Sequence, residues 1–258
     1  MNIVTVQLNS VWEAKSTNQL RVREMLANSD VEAGSMIVLA EMFETGFSMN
    51  VERTSQTQER ESEKFLQALA IEYRSTVLGG VVDVACDGKS ANLAVAFDPA
   101  GKQIVRYQKM RPFSAAGEAE KYVPGTESKT FLWNGIRVAP FICYDLRFPE
   151  LFRSTVLEMG AELILVIASW PSVRSEHWVR LLQARAIENL AIAIGVNRCG
   201  EEPGLSFDGR SCGFDHLGRE LFHADATEQV ITTKIDIAQL RNWRSQFPAL
   251  RDAGSVMN

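Results

Sequence analysis

The sequence predicts an α/β fold in a single domain. Short apolar segments alternate with amphipathic helical patterns in both halves of the 258 residues. Most apolar segments are continuous, which is typical of strands that are buried on both faces. A hydrophobic share of 46% is enough for a large core, and we find no linker, charge block or repeat of 20–50 residues. We therefore expect one domain over residues 1–258, with helices on one face of each sheet and a second apolar layer on the other.

The first half of the chain is assigned from hydrophobic period and turn residues. Apolar runs predict strands, in chain order, at residues 3–8, 36–40, 76–82, 93–97 and 104–107. A helical period predicts helices at about residues 12–27 and 57–74, the first with Leu20, Met25 and Leu26 on its apolar face. Asp87-Gly88 and residues 98–101 carry the turn residues between the later strands.

The second half begins with residues 109–125, which show no convincing period. A loop of this length inside a compact domain is usually functional or disordered. Asn134-Gly135 is a strong hairpin signal between strands predicted at 130–133 and 136–142. The remaining elements are predicted, in chain order, as a helix to about Met159, a strand at 163–168, a helix at 174–190, strands at 191–196, 211–215, 220–223 and 230–235, and a short helix capped by Asp236 that ends near Trp243.

Composition excludes several classes of protein. The net charge of -5 is mild and argues against a general binder of nucleic acid or anionic membrane. The four cysteines are widely spaced and the histidines are not clustered, so we expect neither a zinc site nor a disulfide scaffold. The opening MNIVTVQLNS lacks the features of a signal peptide, and no apolar run has membrane-spanning length. We expect a cytoplasmic protein without a nucleic-acid or membrane partner.

One stretch, FICYDLRFPE at residues 141–150, has the form of a nucleophile elbow. A short apolar run ends at Cys143, and a polar segment leads into a helical pattern from Pro149. Backbone N–H groups that follow such a turn point outward and can stabilise developing negative charge. Taken alone, Cys143 fits a small buried apolar residue better, because most cysteines are of that kind.

Two further ionisable residues change this interpretation. Glu41 directly follows the apolar run IVLA, and Lys109 follows IVRY with one residue between. Either residue alone fits a solvated charge at a strand end. Together with Cys143 they supply what thiol chemistry at an amide requires, because a thiol with a pKa near ~8.5 needs a base at neutral pH. Lysine can stabilise the base and the oxyanion of a tetrahedral intermediate.

Histidine is the commoner base for a thiol, but the sequence does not favour it here. The histidines are His177, His216 and His223, and none lies in a recognisable motif of cysteine–histidine hydrolases. His177 and Trp178 open a helical pattern, and we expect both to pack against the core.

Glu41 in LAEMFETGF, Lys109 in YQKMRPF and Cys143 in FICYDLRFPE resemble, in order and context, the Glu-Lys-Cys triad of the nitrilase superfamily of carbon–nitrogen hydrolases. The resemblance extends through VTVQLNSVWEAKSTN, AGEAEKYVPG and LLQARAIENLAIAIGVNRCG. It is strongest to the omega-amidases, which hydrolyse the terminal amide of small dicarboxylic monoamides such as 2-oxoglutaramate. The resemblance implies a four-layer αββα sandwich, a homodimer formed across helical faces, and catalysis by Glu41, Lys109 and Cys143 without a metal or organic cofactor.

The resemblance also implies a second glutamate in the loop between lysine and cysteine. Glu118 in AGEAEKY is the best match, and Glu120 keeps the assignment open. Both glutamates are alternatively residues that solubilise the loop. The backbone N–H of Tyr144 would share the oxyanion with Lys109. Where relatives often have Lys-x-His, this chain has Lys-Met-Arg from Lys109, a change that could alter substrate preference.

Three more residues are candidates for substrate binding. Arg147 lies four residues beyond Cys143 and matches an arginine implicated in binding the substrate carboxylate in omega-amidases. Its structural alternative is an ion pair with Asp145 or Glu150. Phe113 and Trp170 are candidate apolar walls, although Trp170 is equally well an ordinary core residue.

Other activities remain open at this point. The same triad could hydrolyse deaminated glutathione or N-carbamoyl compounds, or cleave a nitrile. A non-catalytic interaction module with the same fold is a different class, which the presence of all three triad residues disfavours. Phosphate and dinucleotide binding have no support, because neither GxGxxG nor GxxxxGK[ST] occurs.

Overall fold

The computed structural model describes residues 1–255, which form two six-stranded mixed sheets, one small hairpin and eight α-helices. The strands are β1 (Asn2–Gln7), β2 (Met36–Leu39), β3 (Thr76–Val84), β4 (Ser90–Phe97), β5 (Gln103–Gln108), β6 (Phe131–Trp133), β7 (Ile136–Ile142), β8 (Leu163–Ala168), β9 (Ile192–Asn197), β10 (Cys199–Glu202), β11 (Leu205–Asp208), β12 (Cys212–Phe214), β13 (Glu220–His223) and β14 (Gln229–Lys234). The helices are α1 (Lys15–Ala27), α2 (Val51–Thr54), α3 (Glu61–Glu72), α4 (Glu118–Lys121), α5 (Pro149–Met159), α6 (Ser175–Glu188), α7 (Ile237–Gln246) and α8 (Ala249–Ser255).

The two large sheets share one strand arrangement. The first has the order β14-β1-β2-β3-β4-β5 and the second β13-β12-β9-β8-β7-β6. In each, three parallel strands (β1 to β3 and β7 to β9) are extended by antiparallel strands at both sides. The carboxyl ends of the parallel strands in each sheet therefore meet at one edge.

The sheets pack against each other and carry helices on their outer faces. In β2 all four residues are buried, and successive side chains point to opposite faces. Ile37 and Leu39 join the cluster formed with α1 and α3, whereas Met36 and Val38 join the cluster shared with the second sheet. Because α5 and α6 pack on the other side of that cluster, the four-layer αββα sandwich is confirmed. Among the described residues, no helix is long and apolar enough to span a bilayer.

Most predicted elements are present with shifted ends. Asn134-Gly135 joins β6 to β7, and Asp236 caps α7 by accepting hydrogen bonds from two backbone N–H groups. The hairpin β10–β11, the short helices α2 and α4, and α8 were not predicted. The domain predicted over 1–258 stays a prediction, and its last residues, 256–258, lie outside the described part.

The apolar face predicted for the first helix is confirmed for Leu26, which is fully buried, and for Met25, which packs against the same core cluster, but the prediction for Leu20 was wrong. The helix begins at Lys15, and Leu20 is 62% exposed. Asn18 is buried instead, because its side chain hydrogen-bonds the backbone of Val11 and of Glu44. These polar contacts act together with the burial of Val22 and Leu26 to orient the helix.

Candidate active site

Strand directions bring the predicted site residues to one place. Glu41 follows β2, and Lys109 follows β5, which runs parallel to β2 because β4 and β5 each reverse direction. Cys143 directly follows β7 of the second sheet, and Ser169 directly follows the neighbouring strand β8. Since the sheets pack face to face, these side chains meet between two sheet edges.

Lys109 lies at the centre of a buried ion network. Its Nζ atom is 2.8 Å from Oε1 of Glu41 and 2.9 and 2.8 Å from the two oxygens of Glu118. All three side chains are removed from solvent. Burial alone would lower the pKa of Lys109, but the two carboxylates outweigh burial and raise this pKa well above its usual value. The Lys109 side chain is therefore an ammonium group at neutral pH.

The carboxylate that reaches Lys109 belongs to Glu118, whereas Glu120 is exposed. Glu118 also accepts hydrogen bonds from the backbone N–H of Phe113 at 2.6 Å and from the amide of Asn92 at 3.0 Å. The one-turn helix α4 turns Glu118 inward and leaves Glu120 outside.

Glu41 is held by donors from both sheets. The backbone N–H of Ser169 donates to Oε2 and the amide of Asn92 to Oε1, each at 2.8 Å. The backbone beside Glu41 is pressed against Gly80 of β3, where a Cβ atom would lie 2.7 Å from the Glu41 Cα and 2.4 Å from the Met42 nitrogen. Only glycine leaves room for this close approach.

Cys143 lies at a strained turn, as the elbow interpretation predicts. Its φ of 44° is in the left-handed region that non-glycine residues rarely adopt. The side chain is 8% exposed, and its thiol donates to the carbonyl of Ser169 at 3.8 Å. Burial, and next the charge of Glu41, raise the pKa of the Cys143 thiol well above its usual value, although Lys109 opposes them. The resting thiol is therefore protonated at neutral pH.

Asp145 holds the turn at Cys143 in place through hydrogen bonds. Its carboxyl group accepts hydrogen bonds from the hydroxyl of Tyr107 at 2.7 Å, the backbone N–H of Ile142 at 3.0 Å and that of Arg111 at 2.9 Å. These donors belong to the strand before Lys109, the strand before Cys143 and the loop after Lys109. Full burial raises the pKa of Asp145 to about 6.

A cavity of about 380 Å³ opens above Cys143. Phe113, Tyr144, Arg147 and Trp170 all line it. Phe113 and Trp170 are thus wall residues, and Trp170 is also 3% exposed and packed within the core. The N–H of Tyr144 lies in the first turn of a 3-10 helix, Cys143–Arg147, where no earlier carbonyl of the helix can accept it.

Arg147 makes neither of the ion pairs that were its structural alternative. Asp145 accepts only the three donors described above, and the ion pair of Glu150 in the described chain is with Arg111, at 4.0 Å. The Arg147 guanidinium instead lies 4.8 Å from the ring centre of Trp170, with Nη2 3.2 Å from Nδ1 of His177. Our prediction for His177 was wrong, because this side chain is exposed and faces Arg147, whereas Trp178 is fully buried as expected.

Several residues of the site were not predicted from the sequence. Asn92 lies inside a strand, Ser169 contributes through its backbone, Phe47 ends the Glu41 motif but was not assigned a role, and Leu205 lies outside the predicted motifs. Arg174 also lines the cavity, from the turn before α6. A sequence signal for Arg174 was its position four residues after Trp170, a candidate wall residue.

The described residues offer no ready metal site. No group of three or more histidine, cysteine, aspartate and glutamate side chains within residues 1–255 is arranged to hold an ion. The ammonium group of Lys109 occupies the space between the carboxylates of Glu41 and Glu118.

The fold and the buried carboxylate–lysine network beside an elbow cysteine agree with one class of enzyme, the hydrolases of carbon–nitrogen bonds. The chain belongs to the carbon-nitrogen hydrolase family, whose model matches residues 3–245.

The chain is also similar to individual amidases and to a solved structure of this family. Omega-amidase YafV of Yersinia enterocolitica is 34% identical over 259 residues, which is 100% of this chain and 98% of the relative. The 2-oxoglutaramate amidase of Bacillus subtilis is 28% identical over 92% of each chain. Among solved structures, XC1258 of Xanthomonas campestris, a CN-hydrolase superfamily protein with an arsenic adduct in its active site, has a TM-score of 0.90 and 31% identity, with 98% of this chain and 96% of that chain covered.

Proposed function

We propose that this protein is an omega-amidase, which releases ammonia from the terminal amide of small dicarboxylic monoamides such as 2-oxoglutaramate. The observation that carries the proposal is the buried network of Glu41, Lys109 and Glu118 beside a protonated Cys143. The full-length similarity to omega-amidase YafV and to a 2-oxoglutaramate amidase supports this choice of substrate.

In the first half-reaction the thiol attacks the amide carbon. Glu41 accepts the proton of Cys143 as the carbon–sulfur bond forms, so the thiolate is generated only when substrate is present. The Lys109 ammonium and the Tyr144 N–H stabilise the oxyanion, and loss of one such donor typically costs about 3–4 kcal/mol of transition-state stabilisation. Glu41 then gives its proton to the departing nitrogen, the carbon–nitrogen bond breaks, and ammonia leaves a thioester on Cys143.

In the second half-reaction water replaces the thiol. Glu41 removes a proton from water as the oxygen attacks the thioester carbon, and the same donors hold the oxyanion. The carbon–sulfur bond breaks, and the thiolate regains its proton from Glu41. Glu118 keeps Lys109 in place through both of its oxygens.

Recognition of the far end of the substrate is assigned to Arg147. Its fork of N–H donors suits a carboxylate, and it lines the cavity that contains Cys143. Phe113 and Trp170 confine the short methylene chain between the two polar ends.

The proposal is tested by ammonia release from 2-oxoglutaramate with wild type and Cys143→Ala. Wild type should release ammonia and the variant should not, with a trapped thioester detected by mass spectrometry only in wild type. Equal rates would end the proposal. A panel with deaminated glutathione, N-carbamoyl compounds and a nitrile separates it from the other activities of the family, and no turnover of any amide would favour a non-catalytic module.

We extend the proposal to a homodimer that works in the cytoplasm on a small-molecule amide, with no nucleic-acid or membrane partner. Family resemblance supports the dimer, and the net charge of -5 supports the absence of polyanionic partners. Light scattering at micromolar concentration tests the dimer, since a mass near 28.8 kDa would indicate a monomer.

A further inference from the structure

Arg174 is a second arginine on the cavity wall. It ends the 3-10 turn Ser172–Arg174, and its guanidinium lies 5.2 Å from the ring centre of Phe113. Its carbonyl accepts the indole N–H of Trp170 at 2.8 Å, and the hydroxyl of Ser172 contacts that of Ser206 in the β10–β11 hairpin at 2.6 Å. The turn is therefore tied to a wall residue and to a neighbouring hairpin, which fixes the position of Arg174.

The two cavity arginines lie against different aromatic side chains, and neither has an acidic partner among the described residues. Arg147 lies over Trp170, and Arg174 lies over Phe113. Within residues 1–255 neither guanidinium forms an ion pair with a carboxylate, and no aspartate or glutamate lines the cavity. Removal of a guanidinium group from water is costly unless a partner compensates the charge. Two unpaired guanidinium groups on one cavity indicate a ligand that presents several oxygen acceptors.

We propose that Arg174 is a second specificity-determining residue that, together with Arg147, selects amides whose carbon next to the carboxylate carries an oxo group rather than an ammonium group. A 2-oxo acid presents three oxygen acceptors close together, enough for two guanidinium forks. An α-ammonium group would face two cations with no carboxylate on the cavity wall to balance it. This inference rests on the proposed function and sharpens its substrate class to 2-oxo acid ω-amides.

The test compares Arg174→Gln, Arg174→Lys and the control Arg180→Gln. Arg180 lies on α6, is exposed outside the cavity and pairs with Glu176 at 3.7 Å, so its variant removes one charge nearby without changing the wall. Steady-state constants are measured for 2-oxoglutaramate, for glutaramate, which lacks a substituent at carbon 2, and for L-glutamine, which carries the ammonium group.

Arg174→Gln should raise the KM for 2-oxoglutaramate by about 10- to 100-fold, the range for a lost charged hydrogen bond, while kcat changes by less than about threefold. The preference for 2-oxoglutaramate over L-glutamine should fall at least about tenfold, and Arg174→Lys should recover part of it. Arg180→Gln should match wild type. An unchanged preference in Arg174→Gln, or an equal effect of Arg180→Gln, would overturn the inference.

A second measurement separates this inference from the proposed function. If wild type does not hydrolyse 2-oxoglutaramate, the proposed function fails, and protection of Cys143 from iodoacetamide by 2-oxoglutarate then reports anion binding without turnover. Protection that is at least about tenfold weaker in Arg174→Gln than in Arg180→Gln supports the role of Arg174. Equal protection of Cys143 in wild type, Arg174→Gln and Arg180→Gln, or no protection in any of them, would overturn the inference.

Discussion

The Nζ atom of Lys109 lies 2.8 Å from Oε1 of Glu41, and this ion pair is closed to solvent beside Cys143. The pair places the positive charge of the lysine against the Glu41 carboxylate where water cannot reach either group. The same carboxylate charge helps to raise the pKa of the Cys143 thiol. In the proposed mechanism Glu41 is also the base, so the carboxylate that adds to the effect of burial on the resting thiol is the group that receives its proton.

Substitution Glu41→Gln should separate thiol reactivity from hydrolysis. Without the carboxylate charge the pKa of Cys143 falls, because Lys109 continues to favour the thiolate. Alkylation by iodoacetamide should persist, with a pH midpoint below that of wild type, whereas ammonia release should fall by about 10³-fold or more. Both rates are measured across a pH range of about 6–10, on either side of the ordinary thiol pKa.

Glu44→Gln is the matched control for this prediction. Glu44 is also buried, but it contacts Gln19 and Ser62 rather than the site. Its variant should leave the alkylation midpoint where wild type has it. A midpoint in Glu41→Gln that moves upward would show that Glu41 does not control the thiol.

Glu118→Gln should lower turnover while Glu120→Gln leaves it unchanged. The amide oxygen of the substituted side chain can still accept one hydrogen bond, but the ammonium of Lys109 loses one of its two charged partners. We expect kcat to fall about 10²-fold or more, as for loss of a group that positions an oxyanion donor. The exposed Glu120 should change kcat by less than about twofold. Equal losses in both variants would remove the distinction between the two glutamates.

The sequence predicted those parts of the fold and site that depend on short-range pattern. Continuous apolar runs predicted the buried strands, and the positions just after them held Glu41, Lys109 and Cys143. The pairing of two similar sheets depends on contacts between distant segments, so the family resemblance was needed to predict the sandwich. Glu118 and Glu120 are two residues apart in one loop, and only the turn of α4 separates a buried carboxylate from an exposed one.

The sequence pattern could not predict contacts that are made through backbone atoms or by side chains inside fully buried strands. Ser169 binds Glu41 through its N–H, which any residue except proline could supply. Asn92 lies in a strand in which all eight residues are buried. The hydrophobic period of this strand therefore gave no indication that the Asn92 side chain faces the site. Leu20 shows the opposite failure, since an apolar residue at a helical position proved to be exposed.

Gly80→Ala should impair catalysis without touching a catalytic side chain. The new Cβ would lie 2.4 Å from the Met42 nitrogen and 2.7 Å from the Glu41 Cα, so the backbone that carries Glu41 must move. We expect a loss of about 1–3 kcal/mol in the free energy of unfolding, as for other overpacked sites. We also expect kcat to fall about tenfold or more, because small misplacement of a catalytic group is costly.

Gly79→Ala is the control for this prediction. A Cβ at Gly79 meets the side chain of Leu66 at 2.8 Å, which can turn aside, and no backbone atom of the Glu41 segment. Stability is measured by urea unfolding and kcat by ammonia release. If Gly79→Ala lowers kcat as much as Gly80→Ala does, the position of the Glu41 backbone is not the cause.

Asp145→Asn should show how burial of this carboxyl group links stability to pH. The pKa of Asp145 is about 6 in the folded protein, against an ordinary value of 3.8. Between these values the folded protein binds a proton that the unfolded chain does not. The stabilisation is therefore complete below about pH 4 and is lost as the pH rises through about 6. This direction is opposite to that of an aspartate in an exposed ion pair.

The free energy of unfolding of wild type, relative to Asp145→Asn, should increase by about 1–2 kcal/mol between about pH 7 and pH 5, because one pKa unit corresponds to about 1.4 kcal/mol. Asparagine cannot titrate, and its NH₂ group would face one of the donors from Tyr107, Ile142 and Arg111. The variant should thus be less stable at both pH values and have a lower kcat, since the elbow loses its support. Urea unfolding across the same pH interval measures the difference. A difference that shrinks as the pH falls would mean that the carboxyl group is charged in the fold and that its hydrogen bonds outweigh its burial.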